Sequence, residues 1–203
     1  MPTGGTARAP RPRADAQRNR ERLLVAADAA FGRVGAGASL DDIARAAGVG
    51  NATLYRHFPT RAQLISAVYA ERIGALCALA VDMRAREPAG AALLRWLRAV
   101  IDHLAAGRGL REAFVDAHQL RDGQPSPEVE QWHRLTDAAV EPLLADAEAA
   151  GVIRTDLRVD ELMALVSAVA HISDDPGRAH RLLELTLEGL MLSRPSNDAA
   201  PRN

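Results

Sequence analysis

Five residues in one short stretch, Asn51, Thr53, Tyr55, Arg56 and His57, carry side chains suited to meeting a polyanion. Hydroxyl, phenol, imidazole and guanidinium groups donate to phosphate oxygens, while Asn and Arg can also pair bidentately with adenine and guanine edges. Asn51 and Arg56 are therefore the candidates for base contacts. At helical spacing, Leu54 and Phe58 are left to bury the opposite side.

Such a set reads DNA only if the helix that carries it is held rigidly and presented outward, so the flanking elements matter. Ser39-Leu40-Asp41-Asp42 reads as a capping box opening a short helix through Ala47, with Ile43 and Ala47 inward. Gly48-Val49-Gly50 forms the turn, Val49 plugs it, Asn51 caps the next helix, and Pro59 stops that helix after Phe58. Thr60-Arg61-Ala62-Gln63 is a second capping box, beginning a helix with apolar positions Leu64, Ala67, Val68, Ile73 and Leu76 that runs towards Met83. Upstream, Leu23, Leu24, Ala27, Ala30 and Phe31 repeat at helical spacing from Asp15 until Gly35 and Gly37. Residues Ser39 to Phe58 thus have the form of a helix-turn-helix.

The run from Leu40 to Arg61, including Thr53-Leu54-Tyr55-Arg56-His57-Phe58, resembles the DNA-binding domain of the TetR family of regulators, the likeness covering about Arg18 to Ile73. The resemblance implies phosphate or backbone roles for Ser39, Thr53, Tyr55, His57 and Arg61. Arg61 stands where the family typically writes Lys, which changes the geometry of any phosphate contact. For Tyr55 the reading is a ring packed on the first helix with its hydroxyl towards DNA. For His57 a solvated surface position is the alternative.

Charge is distributed in keeping with this. Through Arg72 there are 11 Arg against 6 Asp or Glu, and beyond it 14 against 20, so +5 is followed by −6. A basic module joined to an acidic body fits a nucleic-acid reader with a separate regulatory part. All 25 basic residues are Arg, which together with abundant Ala reads as the mark of a GC-rich genome. Residues 1–14, with Pro10-Arg11-Pro12-Arg13, read as a disordered basic arm, either a solubilising tail or a minor-groove contact.

After Glu87-Pro88 and Gly90, helical patterns recur at about Ala91 to Ala105, Leu110 to Leu120, Pro127 to Ala150, Val159 to Ile172 and Arg178 to Leu192, separated by Gly and Pro breakers. The expected fold is all-α with about nine helices: an arm (1–14), a helix-turn-helix domain (15–60), a ligand-binding and dimerisation domain (61–194) and a disordered tail (195–203). The last two patterns are more apolar than one inward face requires, and Leu162, Val166, Val169, Leu183, Leu187 and Leu190 are taken as the dimer surface. The resemblance implies a four-helix bundle there, forming a homodimer on double-stranded operator DNA. It also implies a small-molecule effector pocket in the body, for which Trp96, His103, Phe114, His118, Trp132 and His171 are the amphipathic candidates. The helix starting at Thr60 would then link effector to reading head.

Catalysis finds little support. Glu130-x-x-His133 has di-iron spacing but no second such pair, and Asp116 and His118, two apart on a helix, diverge. Glycine-rich phosphate loops, nucleophile elbows and cysteine metal clusters are missing from the sequence, so no cofactor is expected. A helical small-molecule carrier and a DNA-architectural protein are the alternatives from other classes; the helix-turn-helix argues against the first and the large acidic body against the second. With one Cys77, no signal peptide and no apolar run of spanning length, the expectation is a cytoplasmic protein.

Overall fold

The computed structural model describes residues 12–117, 126–172 and 175–190. The regular elements among them are α1 (Pro12–Val34), a 3-10 turn (Gly35–Gly37), α2 (Leu40–Ala46), α3 (Asn51–His57), α4 (Arg61–Arg86), α5 (Ala89–Ala106), α6 (Arg108–Ala117), α7 (Pro127–Ala149), α8 (Val159–Ile172) and α9 (Pro176–Leu190). The all-α expectation holds. Helix α1 begins at Pro12, inside the stretch expected to be a disordered arm; the rest of that arm, residues 1–11, and the tail lie outside the described residues.

The chain divides into two compact units, the first formed by residues 1–71 and 107–124. Its centre is built from Leu23, Leu24, Ala27 and Phe31 of α1, Ile43 and Ala44 of α2, and Leu54 and Phe58 of the α3 segment, all buried. Helix α6 belongs to this unit and packs on α1 and the 3-10 turn. The packing is close enough to dictate residue type: a Cβ on Gly109 would come within 2.5 Å of the Phe31 carbonyl oxygen. Gly109 thus sits inside the first turn of a helix because no side chain fits there, and not because the chain turns.

The second unit comprises residues 72–106 and 125–203. In it α5 is central, packing against α7, α8 and α9. Trp96 is fully buried, and its indole N–H donates to the Leu76 carbonyl at 2.9 Å, which satisfies the one polar atom that a buried Trp carries. Pro176 and Gly177, read from sequence as a breaker, instead open α9. Pro occupies the first turn, where its missing N–H costs nothing, and the Asp175 carboxylate accepts from Gly177 N–H at 3.0 Å.

Helix α4 has the length and mean hydropathy, 1.7 over its most apolar window, of a membrane-crossing segment, although the sequence had suggested none. Glu71 and Arg72 interrupt it, and Leu64, Ile65, Val68, Ile73, Leu76, Ala80 and Met83 bury one side of it in the protein.

Candidate nucleic-acid interface

The reading head is set by how α2 stops and α3 starts. Ser39 caps α2, its Oγ accepting from Asp42 N–H at 3.3 Å, while the Asp42 carboxylate takes a hydrogen bond from Arg45 at 2.7 Å. At the other end Gly48 has φ of 66°, the left-handed conformation that only glycine adopts without strain. The Gly48 and Val49 N–H groups then return to the Arg45 and Ala44 carbonyls, both at 3.0 Å, satisfying orphan acceptors of α2. Val49 is half-buried at the turn.

The cap of α3 differs from expectation. Gly50 occupies the N-cap position without a side-chain bond, and Asn51 is the first helical residue. Its amide Nδ2 donates to Asp41 Oδ1 on α2 at 2.7 Å, so the side chain bridges two helices and caps neither.

Leu54 and Phe58 are buried, and Asn51, Tyr55 and Arg56 are exposed. Tyr55 is 48% exposed, so about half of it is covered by the protein and the rest faces solvent. Thr53 is half-buried. Ser39 is exposed, and with its oxygen accepting the cap bond its hydroxyl proton remains able to donate.

His57 is half-buried, with Nε2 fully enclosed and lacking a hydrogen-bond partner. Burial, with the nearby Arg56 and Arg20 charges, holds its pKa below the ordinary 6.5. The neutral tautomer with the proton on Nδ1 follows, since an enclosed N–H without an acceptor is the costlier choice. Arg20, read from the sequence with the Arg-rich arm as either a solubilising or a minor-groove residue, sits with its guanidinium 5.4 Å from the centre of the Phe58 ring and adds positive charge beside His57.

Arg61 is engaged elsewhere. Nη1 donates to the Ala38 carbonyl at 2.6 Å, Nη2 donates to the Ala36 carbonyl, and the guanidinium lies 5.2 Å from the centre of the Phe31 ring. This ties the start of α4 to the connection between α1 and α2. The capping box around it forms as read, with Gln63 N–H to Thr60 Oγ1 at 3.2 Å and Thr60 N–H to Gln63 Oε1 at 3.3 Å.

The residues suggested for an effector pocket fall in both units. Trp96 and Trp132 are buried in the second unit, and His103 and His171 lie on the half-buried and exposed surface of α5 and α8. Phe114 is buried in the first unit against Tyr69, edge to face at 5.4 Å. His118 lies outside the described residues. A groove of about 430 Å³ between α4 and α7 is walled mainly by apolar residues, among them Ala80, Val81, Ala85, Leu135, Ala138 and Pro142. Cys77 lines it, its thiol directed at the Leu135 carbonyl at 3.6 Å. Arg84, also in its wall, is joined to Asp146 by two bonds of 2.6 and 3.0 Å.

The dimer residues chosen from sequence are corrected as well. Leu162, Val166, Val169, Leu183 and Leu187 are all buried within the protomer, where a partner cannot reach them; the side chain of Leu190 lies outside the described residues. Among the described residues, the large apolar side chains that α8 and α9 leave in solvent are Leu165 (39% exposed), Ile172 (68%) and Leu185 (46%). Among the described residues no group of His, Cys, Asp and Glu could hold a metal ion, and Glu130 lies 3.9 Å from Arg134 on an exposed face.

Residues 23–68 match the model described as bacterial regulatory proteins, tetR family, and residues 88–192 match that of the transcriptional regulator SbtR-like C-terminal domain. A TetR transcriptional regulator, SCO0520 from Streptomyces coelicolor, is 36% identical with a TM-score of 0.75, over 86% of this chain and 99% of that one. A TetR regulatory protein from Mycobacterium vanbaalenii is 33% identical with a TM-score of 0.73, over 89% and 99%. SmeT, the repressor of the Stenotrophomonas maltophilia multidrug efflux pump SmeDEF, shares the fold at 20% identity and a TM-score of 0.61, over 93% and 100%. No curated protein matches the chain in sequence.

Proposed function

The chain belongs to the TetR family of bacterial regulatory proteins, DNA-binding regulators and not enzymes, and on that premise we propose that two copies of it repress transcription from a near-palindromic operator until a small apolar molecule releases them. The observation that carries the DNA reading is the split of α3 into a buried side, Leu54 with Phe58, and an outer side bearing Asn51, Tyr55 and Arg56. A recognition helix needs that division to enter the major groove without unravelling its own support. Ser39, Thr53, Tyr55 and His57 contact the backbone, and Asn51 and Arg56 meet base edges.

The effector enters the groove between α4 and α7, whose mainly apolar wall suits an apolar ligand with few polar groups. Helix α4 is continuous from that groove to Arg61, so a ligand that favours one setting of α4 biases the head it is tied to. Compounds that raise the melting temperature and loosen DNA should lose both effects in Ala138→Trp, which fills the groove. Retention of both would place the effector elsewhere.

Footprinting of the protein on the DNA upstream of its own gene, across a salt series, tests the central reading. The expected result is a protected near-palindrome that Tyr55→Ala abolishes. Binding competed equally by random DNA would mean an architectural protein without an operator.

A further inference from the structure

We propose that Asp41 determines part of the operator sequence without touching DNA, by holding the Asn51 amide so that its carbonyl oxygen faces the base. The inference rests on the reading of Asn51 as a base contact and goes beyond it to the chemistry of the base that it selects.

A carboxylate is acceptor-only, so the amide atom that lies 2.7 Å from Asp41 Oδ1 must be the nitrogen. This removes the ambiguity that ordinarily attends an Asn side chain, which can present either end to a ligand. With Nδ2 drawn towards α2, Oδ1 is the end left pointing away. Gly50 holds the N-cap position, so Asn51 has no helix-capping duty, and both it and Asp41 are exposed. The bond joins residues ten apart on different helices, so it also pins the first turn of α3 to the first turn of α2.

An acceptor offered to the major groove selects a donor there. Exocyclic amines are presented by adenine (N6) and cytosine (N4), whereas guanine and thymine present carbonyl oxygens that would repel Oδ1. Asn51 therefore discriminates amine-bearing from carbonyl-bearing bases at one position of each half-site. Asp41 supplies the discrimination as a positioning residue. Its own charge opposes the phosphates, so it weakens overall binding while sharpening the sequence read.

Selection from a random-sequence duplex library, with bound and unbound pools sequenced, tests this without knowledge of the operator. Wild type, Asn51→Ala, Asp41→Ala and Asp41→Asn are compared. Wild type should enrich adenine or cytosine by about tenfold over guanine and thymine at one column of each half-site. Asn51→Ala and Asp41→Ala should both flatten that column and leave the others unchanged, while Asp41→Ala binds the pool more tightly through loss of a negative charge. Asp41→Asn removes the same charge but keeps an acceptor for Nδ2, so it should retain the column; a folding defect or a charge effect would not separate the two Asp41 variants in this way. An unaltered column in Asp41→Ala, or an equal loss in both Asp41 variants, overturns the proposal while leaving the operator reading intact. A wild type that enriches no motif overturns both.

Discussion

Arg61 and His57, for which the resemblance implies phosphate contacts, are both engaged by or enclosed in the protein itself. Arg61 spends both terminal nitrogens on the Ala38 and Ala36 carbonyls, and its plane on Phe31. Lys in its place has a single point charge and cannot hold two carbonyls in one plane. Arg61→Lys should thus lower the melting temperature, by about 1–2 kcal/mol of stability, and leave the dependence of DNA affinity on salt unchanged. If Arg61 is instead a phosphate ligand, Arg61→Ala lowers the salt slope by about one, with little effect on melting. His57 leads to a pH prediction. Its native pKa lies below 6.5, so between the two values the unfolded chain binds more protons than the folded one. The stability associated with a neutral His57 is complete above pH 6.5 and is lost as pH falls through the native pKa. Melting curves should therefore decline on mild acidification, and less steeply in His57→Gln.

At the scale of the elements, what was legible in the sequence is what is decided locally. Ser39, Thr60 with Gln63, and Gly48 act within four residues of themselves, and each does what its type and spacing indicated. Asn51 was misread because its partner, Asp41, is ten residues away on another helix, and Gly50 took the cap. The Gly107-Arg108-Gly109 run reads as a turn, but Gly109 lies within α6 for a tertiary reason, the Phe31 carbonyl. The difference is measurable. Gly109→Ala forces backbone apart and should cost about 3 kcal/mol in chemical denaturation. Gly74→Ala, exposed on α4 with nothing within 4 Å of the added carbon, should stabilise by about 0.5–1 kcal/mol. Equal effects at the two positions would mean that α6 does not rest on α1 as closely as the structure has it.

At the scale of the whole molecule, the question is how one head of seven helical residues becomes a specific reader. One recognition helix contacts too few bases, so a second copy must place its own helix at a fixed separation. Apolar residues cover more than one face of α8 and α9, which signals surplus but not which face turns inward. The protomer core takes Leu162, Val166, Val169, Leu183 and Leu187, so the surplus is Leu165, Ile172 and Leu185. Leu165 and Ile172 are seven residues apart, two turns along one stripe of α8, the spacing at which helices of a bundle meet. A Glu at Leu165 costs the protomer little, since the position is already 39% exposed, but it would bury an unpaired charge in a dimer. Leu165→Glu should therefore melt as the wild type does in dilute solution if the monomer is stable, sediment as a monomer, and bind operator on the order of a hundredfold or more weakly, because the second half-site is no longer tethered to the first. Leu162→Ala, by contrast, should lower stability by about 2–5 kcal/mol through a core cavity while leaving the sedimenting species a dimer at temperatures where the chain is folded. A Leu165→Glu variant that still sediments as a dimer and binds normally would move the interface off this stripe, and the two-headed geometry would then have to be built from another face.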